Sequence, residues 1–504
     1  MGRVLTNNVS MQVAKEDTLG VLPVSPDWKL LEPNTIGSFG ATITTVARDP
    51  ISKDKQRRKG TVTDLDSAVE FEADLTLDSF VDFIEGYCFA QAVNHDLHFT
   101  EADATSSGYT IPAATAAQAA KLQYTAGGPI SLLYARGYAN AANNGLKPLA
   151  ADVASTDTVM EVSGAVAETA PARAIVEIAG IRAEQGDLDI TVSSGVATIT
   201  SGNNGASNNI DFTTLGLTVG QFIHVGGLTS ANQFATAGYG RIVSIADDTL
   251  VLDKLSTGLA TDNGTGDTVD LLFGRFIRNV AVDHASYLEQ SFQFEAGYPN
   301  LGSGGVTEYE YSLGNLCNQV TFNLPLTDKA TASFGFIGTD TEVPTTSRKS
   351  GANAPRTPAK TAAMNTTADV ARLRITEVDE TGLTTDFKSF SITLLNNVSP
   401  EKVIGRLGAA FMNTGNFEVN VEAQVLFTNG DVVAAIRENE TVALDFILKN
   451  EDGAIAVDIP SMTLGGGGRD FPVNESVLLN STGMAFKDAT LETSIGVSLF
   501  AIVP

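Results

Sequence analysis

One order of parts occurs twice in this chain, and that duplication restricts the fold more than any other feature. Residues 387–439 read as a strand (Phe390–Leu395), a polar loop (Asn396–Gly408), an alternating strand (Phe417–Phe427) and a short helix (Gly430–Asn439). Near the N-terminus the same order returns as Ala41–Val46, Arg48–Gly60, Val69–Leu75 and Asp78–Tyr87. In Val69–Leu75 every second residue is apolar, and Glu70, Glu72 and Asp74 stand between. Successive side chains of a strand point to opposite faces, so one face is apolar and the other acidic. Glu418 and Glu422 give the second copy carboxylates of its own. Phe80, Phe83, Ile84 and Tyr87 fall at the i, i+3, i+4, i+7 spacing of a helix stripe that faces a core, and Thr76 or Asp78 is placed to cap that helix. Two copies of one β-loop-β-α unit predict two tandem domains of one kind.

The totals fit a mainly β protein. A length of 504 residues corresponds to two to four domains. With 43% apolar residues and 47 glycines, the chain favours β-structure with many turns over helix bundles. The formal net charge of −27 argues against a protein that grips nucleic acid, which needs a basic footprint. Two cysteines, Cys88 and Cys317, are too few for a disulfide framework and read as small buried residues. The first twenty residues lack the apolar run of a signal peptide, and no window has the apolar length of a membrane-spanning helix. No membrane partner is therefore expected.

Composition divides the chain. Residues 1–34, with Pro23, Pro26, Pro33 and the single Trp28, read as an extended arm, because proline interrupts helices and central strands. Residues 35–128 and 276–338 make a first domain, with the alternations Val320/Phe322/Leu324 and Ala332/Phe334/Phe336 as its closing antiparallel strands. Between them, 129–275 reads as an insertion of small β-modules carrying an internal repeat, 132–162 and 221–253. Residues 339–368, with Pro344, Pro355 and Pro358, form a linker. Residues 369–504 are the second domain.

Catalytic and metal patterns are weak. His95 and His98 have metal-ligand spacing but no further ligands nearby, and read as a polar surface loop. Gly465–Gly468 lacks the lysine-serine ending of a phosphate-binding loop and reads as a mobile loop. Residues 262–267 resemble a piece of a calcium loop but lack its closing glutamate. With four histidines and none of the common hydrolase motifs, the chain is expected to be neither an enzyme nor a cofactor carrier. One basic cluster stands out in the acidic chain: Lys53, Lys55, Arg57, Arg58 and Lys59, in the first loop. It is expected to contact an acidic surface of a neighbouring subunit. The matching loop of the second copy carries Glu401, Lys402 and Arg406 and is less basic, so the two copies make different contacts.

The stretch SFSITLLNNVSPEKVIGRLGAAFMNTGNFEVNVEAQVLFTN resembles the tail tube proteins, or major tail proteins, of long-tailed non-contractile bacteriophages. So do KEDTLGVLP with DWKLLEP, and YEYSLGNLCNQVTFNLPLTDKATASFGFIG. The resemblance covers residues 15–91 and 280–504, not the insertion. It implies two β-sandwich or barrel domains of tail-tube type, each with a flanking short helix. It also implies self-association into stacked rings, trimeric and pseudo-hexameric for a duplicated chain, around a bore that passes DNA without specific binding. Tape-measure, terminator and distal tail proteins are the implied partners, the virion tail the implied location, and the host cytoplasm the implied place of assembly. On that basis Glu70, Glu72, Asp74, Glu418 and Glu422 are candidates for the lining of the bore, although the same face suits an outer, solvated surface. The insertion would decorate the outside. A surface-exposed β-sandwich adhesin or carbohydrate binder is the alternative, and a capsid or decoration protein a third.

Overall fold

The computed structural model describes residues 4–77, 81–202, 209–301, 305–358, 361–377, 382–384, 386–428 and 430–503. The first unit contains β1 (Ser10–Lys15), β2 (Trp28–Leu31), β3 (Thr35–Arg48), β4 (Arg58–Asp74) and α1 (Val81–Cys88). After the insertion it resumes with β5 (Ser291–Leu301), β6 (Val306–Pro325) and β7 (Thr331–Gly338). The second unit repeats the set as β8 (Val370–Glu377), β9 (Gly382–Thr384), β10 (Phe387–Leu395), β11 (Glu418–Leu426), α2 (Asp431–Glu438), β12 (Thr441–Asn450), β13 (Gly453–Asp470) and β14 (Leu478–Ala485). Among the described residues these strands pair antiparallel to one another. The first unit runs β2-β1-β5-β6-β7-β4-β3. The second runs β9-β8-β12-β13-β14-β11-β10. The order is the same in both, and β6 pairs with β10 to join them.

Each unit is two layers because one long strand serves both. The first part of β6 pairs with β5 and its last part with β7; β13 does the same with β12 and β14. The change falls near a bulge at Gly314, whose φ of +59° suits glycine and whose missing Cβ would lie 2.5 Å from the Thr339 hydroxyl. We call β1, β2, β5 and the start of β6 the outer layer, and β3, β4, β7 and the end of β6 the inner layer. Phe71 of β4 meets Phe294 of β5 across the layers at 6.2 Å, and Phe83 of α1 meets Phe292 at 5.4 Å. In the second unit Phe390 of β10 meets Phe446 of β12 at 5.8 Å. The apolar sides of both units form one continuous core. Phe80 and Asp78, expected on the helix stripe and at its cap, lie outside the described residues.

Three expectations about layout change. Residues 10–15 and 28–31 of the expected extended arm form outer-layer strands, and Trp28 is 1% exposed. Within the expected linker 339–368, Ser350 and Ala352 pack against the first unit. The Trp28 indole donates to the Ser350 carbonyl at 3.0 Å, and Ala352 is buried beside Tyr311. Residues 92–128 belong with the insertion rather than the first unit. Strand 98–100 pairs with 175–183, strand 108–110 pairs with 159–161, and Leu97, Tyr109 and Leu122 share the insertion's core. Three-residue strands among alanines and threonines leave no periodic signal to read.

The insertion leaves the first unit after α1 and returns at β5, where the second unit needs only Asn439 and Glu440 between α2 and β12. Its expected pair of small modules is instead one ten-stranded sheet over one core. The halves of the internal repeat diverge. Strands 222–225, 238–245 and 249–253 form a meander, whereas strand 159–161 turns away from 145–148 to pair with 108–110. The insertion packs on the outer layer of the second unit. Phe222 and Tyr239 share a buried cluster with Ile447, Ala454 and Ala456, while Phe446 and Val457 beside them face the main core.

Candidate functional site

The inner layers of both units form one sheet in the order β3-β4-β7-β6-β10-β11-β14-β13. Its apolar face carries the core. Its other face is mostly polar because most of its strands alternate. One row across it reads Asp74, Thr331, Asn323, Ser391, Glu422, Thr482 and Gly465. The next reads Glu72, Ser333, Thr321, Thr393, Asn420, Met484 and Thr463. Glu70 lies opposite Gly335, and Glu418 opposite Leu395. The structure thus brings Glu70, Glu72, Asp74, Glu418 and Glu422 onto one face. Neighbouring side chains moderate some of them: Lys329 sits 2.7 Å from Asp74, and the Asn397 amide donates to Glu418 at 3.0 Å.

This sheet has two open edges. Among the described residues β3 pairs only with β4, and the end of β13, Leu464–Asp470, pairs only with β14. Gly465–Gly468, expected as a mobile loop, lies within β13, with a bulge between Gly466 and Gly468. The ladder to β14 holds it in place, with Gly466 and Gly467 at φ of +83° and +90° in the bulge. Unpaired strand edges are templates for pairing with another chain.

The two ends of the sheet differ in charge. At one end the β3–β4 hairpin continues past the last β7 partner, Ser67, as a two-stranded ribbon. Nine further residues of β4, at about 3.3 Å each, extend it by roughly 30 Å. Its tip holds Lys53, Lys55, Arg57, Arg58 and Lys59, all exposed, with Ile51 fully so. Arg57 pairs with Asp49 at 3.1 Å and Arg58 with Asp54 at 2.8 Å. The three lysines make no ion pair among the described residues. The corresponding loop of the second unit, 396–417, folds back with a small ladder of its own, 399–401 with 411–413. Its Lys402 reaches Asp64 and Asp66 of the ribbon at 2.5 and 2.6 Å, and Ile404 and Phe411 are exposed. At the opposite end the β6–β7 and β13–β14 turns expose Asp328, Asp470 and Glu475 beside Leu326, Phe471 and Val473.

Buried ion pairs fix what covers the outer layers, and sequence reasoning missed them because the partners lie far apart in the chain. In the first unit Glu295, fully buried, accepts from the Arg348 guanidinium and the Tyr311 hydroxyl. In the second unit Asp458 receives Arg241 at 2.8 Å and Lys254 at 2.7 Å, both from the insertion. Burial alone would raise the Asp458 carboxyl, but these two cations hold it below its usual range. His98, expected in a polar surface loop, is largely buried, 3.8 Å from Glu177. Burial pushes it well below the usual histidine range, with Arg275 and Arg136 adding to the effect. Among the described residues no group of acidic, histidine and cysteine side chains is arranged to hold a metal.

No curated protein matches the chain. A family model described as phage tail tube protein matches residues 248–477. That stretch takes in the end of the insertion, β5 to β7, the segment joining the units, and the second unit as far as the turn before β14. Over that stretch, somewhat under half of the chain, this mainly β protein of antiparallel sheets is similar to phage tail tube proteins.

Proposed function

We propose that three copies of this structural virion protein close into a pseudo-hexameric ring, and that stacked rings form a siphophage-type tail tube whose bore passes DNA during ejection. The observation that carries this reading is the junction inside the chain. β6 of the first unit already pairs with β10 of the second, with Thr321 opposite Thr393. The strand order makes β13 the counterpart of β6 and β3 the counterpart of β10, and these are the two open edges. Carrying the internal register across two chains sets Gly465 of one opposite Ser38 of the next. Three chains then present six four-stranded inner layers in one closed sheet, and closure removes the edges.

On this reading the polar face lines the bore. Its carboxylates repel DNA phosphates, and its Ser, Thr, Asn and Gln rows offer no basic contact that would hold them. The insertion, packed on the outer layer, lies on the outside. Stacking sets the basic ribbon tip of one ring against the end carrying Asp328, Asp470 and Glu475 in the next. Tape-measure, terminator and distal tail proteins would meet the ends of such a tube, assembled in the host cytoplasm.

The test is a pair of cysteines. Ser38→Cys with Gly465→Cys is expected to give disulfide-linked oligomers on mild oxidation, because opposed residues of an antiparallel pair lie within disulfide reach. The control Thr321→Cys with Thr393→Cys should cross-link only within the chain. Electron microscopy of the wild type should show hollow tubes of uniform diameter with threefold repeats. Persistent monomers that bind glycans would favour the adhesin instead. Replacing Lys55, Arg57, Arg58 and Lys59 by Glu should leave rings intact and block their stacking; tubes of normal length would remove the ribbon tip from the mechanism.

A further inference from the structure

A cavity of about 210 Å³ opens where four segments of the chain meet. The approach to β2 supplies Asp27 and Lys29, α1 supplies Asp82, the insertion supplies Arg173 and Arg275, and the segment covering the first unit supplies Arg356. Four cations thus face two carboxylates, in a chain whose net charge is −27. The carboxylates are already shared. Asp82 lies 3.4 Å from Lys29, 3.2 Å from Lys15 and 4.0 Å from Arg356, and Asp27 lies 3.1 Å from Arg356. Arg275 is 8% exposed and touches Glu177 only at 3.6 Å. The Nε groups of Arg275 and Arg356 are buried and, among the described residues, have no hydrogen-bond partner. Buried donors of this kind are normally satisfied, and guanidinium forks match the oxygens of an oxyanion.

We propose that this cavity binds a small tetrahedral oxyanion, inorganic phosphate or sulfate, as a structural counter-ion. The ion would accept from Arg275 and Arg356, offset the excess of cations over carboxylates in the lining, and tie the four segments together. The site is independent of ring formation, since every residue in it comes from one chain. The ion's four oxygens suit donors that converge from several sides, whereas a carboxylate offers two in one plane.

The experiment is thermal unfolding of the purified full-length chain at fixed ionic strength, with chloride replaced stepwise by phosphate, sulfate or acetate. Phosphate and sulfate are expected to raise the midpoint in a saturable manner, as ligands of the folded state do, and acetate is expected not to. Arg275→Gln should abolish the saturable rise. Arg356→Gln, at the more exposed wall, should weaken it at least tenfold and serves as the reporter if the first variant does not fold. An equal rise with acetate, or an unchanged saturable rise in the variants, overturns the proposal.

Discussion

The two units of this chain share one strand order and differ in what covers them. Register makes the comparison residue by residue. Glu295 of β5 stands between Gln12 of β1 and Tyr311 of β6; Asp445 of β12 stands between Arg374 of β8 and Asp458 of β13. Both carboxylates are 0% exposed. In the first unit the neutral neighbours Gln12 and Tyr311 accompany one arginine, Arg348, from the covering segment. In the second, two aspartates meet Arg372 and Arg374 from β8 and Arg241 and Lys254 from the insertion. The position has been kept as a buried acid, and its partners changed with the cover. A buried ion pair adds little stability over an apolar pair, but losing one partner is costly. These clusters are therefore expected to specify which segment covers which unit.

The largest break in the comparison should come from Asp458→Ala. It leaves Arg241 and Lys254, 10% and 4% exposed, without their shared partner, at a cost of ~3–5 kcal/mol in urea unfolding. The same pair gives an acid limb. A carboxyl held low in the folded state stabilises above its unfolded pKa of about 3.9. That contribution is lost as pH falls through the lower folded value. In Asp458→Asn this limb should shrink, read as the difference in midpoint between pH 6 and pH 3.

Gly86→Ala should come next. Its Cβ would meet Cys317 Sγ at 2.7 Å, where the second unit carries Ile436 at the matching helix position. Overpacking of this kind costs ~1–3 kcal/mol. Glu295→Gln should cost less than Asp458→Ala, ~1–2 kcal/mol, because Arg348 is 17% exposed and reaches water. Lys402→Ala should leave the unfolding midpoint unchanged, since exposed pairs contribute little. Faster proteolysis of the β3–β4 ribbon would show that the pair restrains it.

Sequence and structure agree where alternation is strong. β4, β11 and the β6–β7 pair were legible because one face is core and the other polar, and the period of two is unbroken over six or more residues. The acidic face was legible as a face, but its extent across eight strands was not, since register between distant strands leaves no local trace. β1 and β2 resemble an arm in sequence because they are short, lie near prolines and are buried by a segment more than 300 residues away. The glycine run in β13 lacks side chains to alternate, so its strand conformation depends on its partner. The ion pairs of the outer layers, which join residues such as Arg241 and Asp458, could be located only in three dimensions.

The position of the insertion has a consequence for how the chain acquires its structure. β10 to β14 are made within a hundred residues of one another, so the second inner layer closes on local contacts. β1 must wait for β5, and β4 for β7, until residues 89–290 have been synthesised. Contacts of long sequence separation form late, and domains fold as units while the chain emerges. The insertion, with a core of its own from Leu97 to Phe273, is expected to be folded before the first unit can close around it. During that interval β3 and β4 stand as a hairpin without a sheet. Pulse proteolysis of stalled nascent chains ending before and after residue 338 should show the 35–74 segment cleaved in the first and protected in the second.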